Sequence, residues 1–299
     1  MTATTPATEQ PTKPATTQTI RTRPVRRRLS VMTIIAGAVV VILALMAIFA
    51  PLISPFDPIA QDPAIRFTPP GSDGHILGTD QYGRDILSRL IYGARVELLT
   101  ALSATLIAAI IGTTIGLIAG YFDTAVRSIS MRAMDVLLTF PPLILALFAV
   151  TLYGQGMVTL IAALALLFTP AFARVAFAQV LSVRSLEYVE AAKLYGAKSP
   201  TILAKVILPN VAGPTVVRFT LTIAAAILLE SGLSYLGLGI VPPEPSWGSM
   251  VAEGQRYMST DPFVLLIPAA AVVISVLAFA VLGDGIRQWL DPRSGRNAR

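Results

Sequence analysis

The sequence predicts an all-α, polytopic membrane protein with six transmembrane helices. Composition is the first observation: 54% of the 299 residues are hydrophobic and 13% charged, with a mean hydropathy of +0.70. A soluble domain carries roughly a quarter charged residues, so the shortage argues against a soluble enzyme. The second observation is a set of nearly uncharged runs, each close to the roughly 20 apolar residues a spanning helix needs. The third is where the basic residues fall. With both termini inside, only Arg66, Arg84, Arg89, Arg95 and Arg256 of the 23 lysines and arginines lie outside. The positive-inside rule reads that asymmetry as cytoplasmic termini. There is no cysteine and a single histidine, His75, which excludes disulfides, Cys-based zinc sites and thiol redox chemistry. No metal site is expected. The net charge of +6 then reflects membrane orientation rather than a nucleic-acid partner.

Each element follows in order. Residues 1–30 are rich in Thr, Pro and Ala near their start, cannot bury a core, and read as a disordered cytoplasmic leader. Its five arginines between Arg21 and Arg28 suit anionic headgroups beside the first span. That span is Val31–Ala50, and its length and the following Pro51 argue against a cleaved signal peptide. Residues 31–95 form one unit, the first helix plus an outer segment in which Pro51, Pro55, Pro58, Pro63, Pro69 and Pro70 forbid long regular structure. After Gly78-Thr79-Asp80 a short amphipathic helix is expected along the outer membrane surface, with Ile86, Leu87, Leu90 and Ile91 on one face.

The second span is Leu98–Phe122. Gly112, Gly116 and Gly120 give it a small-residue face for helix packing, or for a moving interface. Val136–Ala173 supplies two short spans around the turn Tyr153-Gly154-Gln155-Gly156. Pro141-Pro142 kinks or breaks the third helix, either as plain structure or as the border of a transport path or gate. Phe219–Pro243 is the fifth span, with Glu230 as its only charge. An unpaired charge in the membrane costs several kcal/mol, so Glu230 is a path or gate residue, or else a hydrogen-bond anchor. Pro262–Gly283 is the sixth span, and residues 291–299 form a cytoplasmic tail. The outer segments hold nine acidic residues (Asp57, Asp62, Asp73, Asp80, Asp85, Glu97, Glu244, Glu253 and Asp261). They read as a surface that steers a partner or cationic substrate, or as ordinary solubilising charge.

Between the fourth and fifth spans, Gln179–Gly213 is too polar to cross the bilayer. Glu187 to Tyr195 are mostly good helix formers, and Gly196 stands where a left-handed C-terminal residue belongs. Ser199 reads as an N-cap followed by Pro200 at the first helical position. Thr201–Leu208 is the next short helix, and Pro209 hinders its continuation. A duplex cannot easily be wrapped by a helix pair set between two spans, and Gly196-Ala197-Lys198-Ser199 lacks the spacing of a phosphate-binding loop. The chain therefore shows no nucleotide site of its own.

Within this loop, Glu190-Ala191-Ala192, then three residues, Gly196, nine residues, and Val206-Ile207-Leu208-Pro209, resembles the EAA loop of binding-protein-dependent ABC importer permeases. The one departure is Val206 where the family has Ile. Further segments resemble the C-type subunit of dipeptide/oligopeptide permeases. They are Leu77 to Asp85, Ser88-Arg89, Gly93-Ala94-Arg95, Leu233 to Gly239, Pro242-Pro243, Ser246-Trp247-Gly248, Gly283-Asp284-Gly285 and Leu290 to Arg293. Gln288 and Glu97-Leu98 depart from that pattern, since the family more often has an acidic residue and Ser-Leu there.

The resemblance implies the type I permease fold of ABC importers, with residues 96–290 as a five-helix core and the EAA loop at about 187–209. It further implies a bacterial cytoplasmic (inner) membrane location and a homologous second permease subunit. Two ATPase subunits or domains would carry ATP and Mg, with no cofactor in this chain. An extracellular binding protein would deliver peptide, or alternatively nickel, glutathione or haem. Glu190, Ala191, Ala192, Gly196, Leu208 and Pro209 would couple to the ATPase, the alanines allowing close backbone approach and Glu190 offering a directed charge. The chain itself would be no enzyme. Two competing classes fare worse on the residues. An intramembrane hydrolase built on Ser234 lacks a nearby base, because His75 lies in the outer segment. A self-sufficient secondary transporter needs no EAA loop and normally shows an internal inverted repeat.

Overall fold

A computed structural model describes residues 30–122 and 124–290. Among them, five helices are long and apolar enough to cross a membrane, and a sixth span exists if one bent pair is counted as one. The first, α1 (Val31–Ile48), starts where the Ser30 hydroxyl accepts from the Thr33 amide at 3.4 Å. Its outer faces remain exposed, and it seats against the last helix, where Thr33 fills the space over Gly285.

The next long helix, α2 (Ile86–Tyr121), is a single element of 36 residues. The surface helix expected around Ile86–Ile91 is its beginning, not a separate piece. Asp85 caps it by accepting from the Ser88 amide at 2.7 Å, and nothing beyond interrupts it. The charged residues at its start do not point to water. Arg84, Asp85 and Arg89 are all buried, each satisfied by the outer segment. At about 1.5 Å per residue the helix is about 54 Å long, well beyond the roughly 30 Å apolar thickness of a bilayer.

The third span is broken. Helices α3 (Thr124–Thr139) and α4 (Pro142–Tyr153) meet at 90°. Pro141 precedes another proline and is held extended at ψ 132°, which no α-helix tolerates. Helix α4 turns through Gly154 and Gly156 into α5 (Met157–Val183), and Gln155 Nε2 donates to the Gly237 carbonyl at 2.7 Å. The glycine face of α2 lies on α5. A Cβ at Gly112 would overlap the Thr169 carbonyl, one at Gly116 the Ala173 carbonyl, and one at Gly120 would stand 2.6 Å from Val180 Cβ. Close backbone approach of this kind is how helices gain contact where lipid supplies no hydrophobic drive.

Beyond α5 come α6 (Glu187–Leu194), α7 (Ser199–Tyr235), α8 (Trp247–Gln255) and α9 (Phe263–Leu290). Helix α8 does not span. It docks near the start of α2, with Trp247 fully buried against Gly93 and its Nε1 donating to the Leu90 carbonyl at 2.9 Å. The main core runs through α2, α5, α7, α8 and α9, and a second, smaller one gathers Val180, Val189, Ile202, Ile207 and Val211 beneath the loop of α6.

Candidate functional site

The loop of α6 is built on one anchor. Val189 is fully buried in the small core while Glu190 points to solvent, and Ala191 and Ala192 are half-buried. The helix then closes by a paired bond. Gly196 donates its amide to the Lys193 carbonyl at 3.0 Å and Ala197 to the Ala192 carbonyl at 3.1 Å. Gly196 sits at φ +76°, where a side chain is strained and glycine is not. This turn throws Leu194 and Tyr195 outward at 88% and 91% exposure. Sequence reasoning did not single out either residue. The available signal was their place five and six residues beyond Val189, off the one buried face.

The exit from the turn differs from expectation. Lys198, not Ser199, occupies the N-cap, and its side chain makes no capping bond. Pro209 does not stop the helix either, since Ser199–Tyr235 is one helical run of 37 residues. A π turn over Ile202–Ile207 precedes the proline, with the Leu208 amide donating to the Leu203 carbonyl five residues back. That wider turn makes room for a ring that would clash in a regular helix. Leu208 and Pro209 are exposed on the outside of the run, while Ile202 and Ile207 hold it to the small core. Glu190, Ala191, Ala192, Gly196, Leu208 and Pro209 thus belong to one end of the molecule.

Glu230 does not. It lies 22 residues beyond Leu208 on α7, about 33 Å away at 1.5 Å per residue. It is fully buried, faces Glu97 of α2, and accepts from Ser234 Oγ at 2.7 Å. Glu97 is also fully buried and accepts from Ser231 Oγ at 3.1 Å. The second oxygen of each carboxyl has no donor among the described residues, and neither group forms an ion pair there. The pair joins α2 to α7 beside the docked α8, where Gly248 lies against the Ser231 carbonyl. Pro141 is elsewhere, exposed at the break between α3 and α4.

The outer acidic surface is smaller than the sequence suggests, because Asp80, Asp85 and Glu97 are buried. Asp80 builds a polar clasp with Glu253 of α8. Arg84 Nε meets Asp80 at 2.6 Å and its Nη2 meets Glu253 of α8 at 2.5 Å. Arg89 lies 3.5 Å from Asp80 and 3.7 Å from Glu253, and Gln81 donates to Glu253 at 2.8 Å. Beside them His75 Nδ1 meets Asp85 at 2.9 Å and its ring stacks on Phe56. Among the described residues no cluster of His, Cys, Asp and Glu suits a metal ion.

Long apolar helices, one broken span and a loop presented at one end define a membrane-spanning transport subunit. The chain belongs to the family of binding-protein-dependent transport system inner membrane components, which it matches over residues 112–296. Residues 26–70 match the N-terminal transmembrane domain of oligopeptide transport permease C. It is 39% identical over 252 residues to the di/tripeptide transport system permease protein DppC of Pseudomonas aeruginosa, covering 83% of each chain. It is likewise 39% identical over 262 residues to the glutathione transport system permease protein GsiD of Pectobacterium atrosepticum, covering 88% of this chain and 87% of that one. A chain of the MetNI methionine ABC transporter shares the fold, with a TM-score of 0.56 at 18% identity over 68% of this chain and 96% of that one.

Proposed function

We propose that this chain is one permease subunit of an ATP-driven importer for di- and oligopeptides, paired with a homologous second permease. Both termini lie in the cytoplasm, and ATP and Mg are bound by two partner ATPases. An extracellular binding protein supplies substrate. The observation that carries the reading is the loop at Glu187–Pro209, whose tight turn holds Leu194 and Tyr195 almost free of their own chain. Two large apolar side chains held out on a well-packed stem are costly in water and suited to a groove on a protein partner. Because Ser199–Tyr235 is one helical stretch from this turn past Glu230, a push on the loop would be carried along the fifth span. Relatives named for di/tripeptide and D,D-dipeptide transport support peptides as the substrate. The glutathione relative favours a second reading, a modified tripeptide of the same chemical class.

The test is uptake by the complex purified from its native membrane and reconstituted with its binding protein. ATP-dependent accumulation of a labelled dipeptide is the expected outcome. Accumulation of glutathione alone would move the substrate to the second reading, and transport by this chain without any ATPase would overturn the importer itself.

A further inference from the structure

Two carboxyl groups meet in the interior with no cation to hold them. Glu97 of α2 and Glu230 of α7 are both fully buried and lie within hydrogen-bonding reach of each other. Among the described residues neither forms an ion pair, and Glu230 is the one charged group set against Glu97. The donors around them are neutral and few. Ser231 Oγ donates to Glu97 at 3.1 Å and Ser234 Oγ to Glu230 at 2.7 Å. The Trp247 amide, at the first position of α8, is directed at Glu97. Each carboxyl keeps one oxygen, Oε2, with no donor among the described residues. Two ionised carboxylates do not suit such a place. Burial penalises each charge, the like charge beside it penalises the second, and each bare oxygen forfeits a hydrogen bond. One proton set between the two bare oxygens removes all three costs, as it does wherever paired carboxyls cannot both ionise. The three donors aimed at the pair favour keeping the other charge, because a hydrogen bond to an ionised acceptor is the stronger one.

We propose that Glu97 and Glu230 form a proton-binding site that holds a single proton in common, and that this hydrogen bond fastens α7 to α2 beside the seat of α8. Backbone closes on the site from two sides. A Cβ at Gly248 would overlap the Ser231 carbonyl, and one at Gly239 would overlap the Ser234 hydroxyl. Glu230 is then a positioning residue. It lies on the same helical stretch as the end of the loop at Ser199, so α7 cannot slide along α2 without breaking or carrying this bond. The inference goes beyond the proposed function and does not depend on which substrate is carried.

The test counts the proton. Infrared spectra at neutral pH are recorded for the protein purified from its native membrane and for the double change Glu97→Gln and Glu230→Gln. That variant keeps both side-chain shapes and replaces the shared proton by an amide donor. The native-minus-variant difference should contain one protonated carboxyl and one carboxylate, all other acidic side chains cancelling. Two carboxylates and no protonated carboxyl would mean that a cation or a water fills the gap. Two protonated carboxyls would mean that each group holds its own proton. Either result overturns the proposal. Should the double variant fail to assemble, thermal unfolding of single variants in detergent decides. Glu97→Gln should unfold close to the native temperature, because its amide still donates to Glu230. Glu97→Leu should unfold clearly lower, because Glu230 is then left buried without that partner. Equal losses in the two variants, or a native unfolding temperature that rises with added sodium, magnesium or calcium, would overturn the shared proton.

Discussion

The two ends of this molecule solve opposite problems. At one end the clasp of Asp80, Arg84, Arg89, Gln81 and Glu253 turns charged residues inward and satisfies them within the chain. At the other, the α6 loop turns apolar residues outward and leaves them unsatisfied. The first arrangement is complete in the isolated subunit, and the second, on the proposed function, is completed by the ATPase seated on it. A folded chain tolerates an exposed Leu194 and Tyr195 because Val189, Ile202 and Ile207 fix the stem beneath them. Stability and function are therefore separable here, and substitutions should sort by the end they touch.

The largest effect is expected at the clasp. Asp80→Ala removes one of the two carboxylates that Arg84 and Arg89 share and leaves both buried guanidiniums with Glu253 alone, and stranding a buried charge costs about 3–5 kcal/mol. Thermal unfolding of the purified subunit in detergent should fall sharply, while any subunit that survives should still bind the ATPase. Next comes the double change Leu194→Ala and Tyr195→Ala. It should leave unfolding unmoved and weaken ATPase association by about 2 kcal/mol or more, the scale of an interfacial hot spot. Loss of folding stability instead would mean that these side chains pack in the native chain after all. Smaller again is Gly196→Val. A β-branched residue at φ +76° is strained by roughly 1–2 kcal/mol, enough to misplace the turn without unfolding six spans. Coupled ATP hydrolysis should fall while the subunit content of the purified complex holds.

Much of this contrast was legible in the residues and some of it was not, for reasons that differ by site. Gly196 was readable because its conformation is local, and a left-handed residue after a run of helix formers needs glycine whatever surrounds it. The apolar runs and the break at Pro141-Pro142 were readable for the same reason. The continuity of α2 was not. Arg84, Asp85 and Arg89 look like a solvated face until Glu253, 169 residues away from Arg84, is known to lie against them. Glu97 was taken for an outer surface charge because its serine partner stands 134 residues along the chain. Pro209 gave a true local signal that a π turn overrode. In each miss a long-range partner or a register shift reversed a sound local preference, and single-chain patterning carries no trace of either.

The smallest effect sharpens the comparison most, because it separates a local reading from the folded one at a single hydroxyl. Were Ser199 the N-cap of the helix after the turn, Ser199→Ala would strip an oxygen from an unpaired amide and cost about 1 kcal/mol. In the structure Lys198 is the cap and Ser199 is already helical, with no capping bond from either side chain. The start of α7 is held instead by backbone bonds, the Thr201 and Ile202 amides both donating to the Lys198 carbonyl at 2.9 and 3.1 Å. Alanine should then be neutral in unfolding and in ATPase binding, since it is also the better helix former. A measured loss near the capping value would mean that the turn rearranges so that Ser199 caps the helix when the partner is bound. The loop would then be a switch with two registers rather than a fixed peg, and the transmission from the turn along α7 would need an additional joint at Lys198.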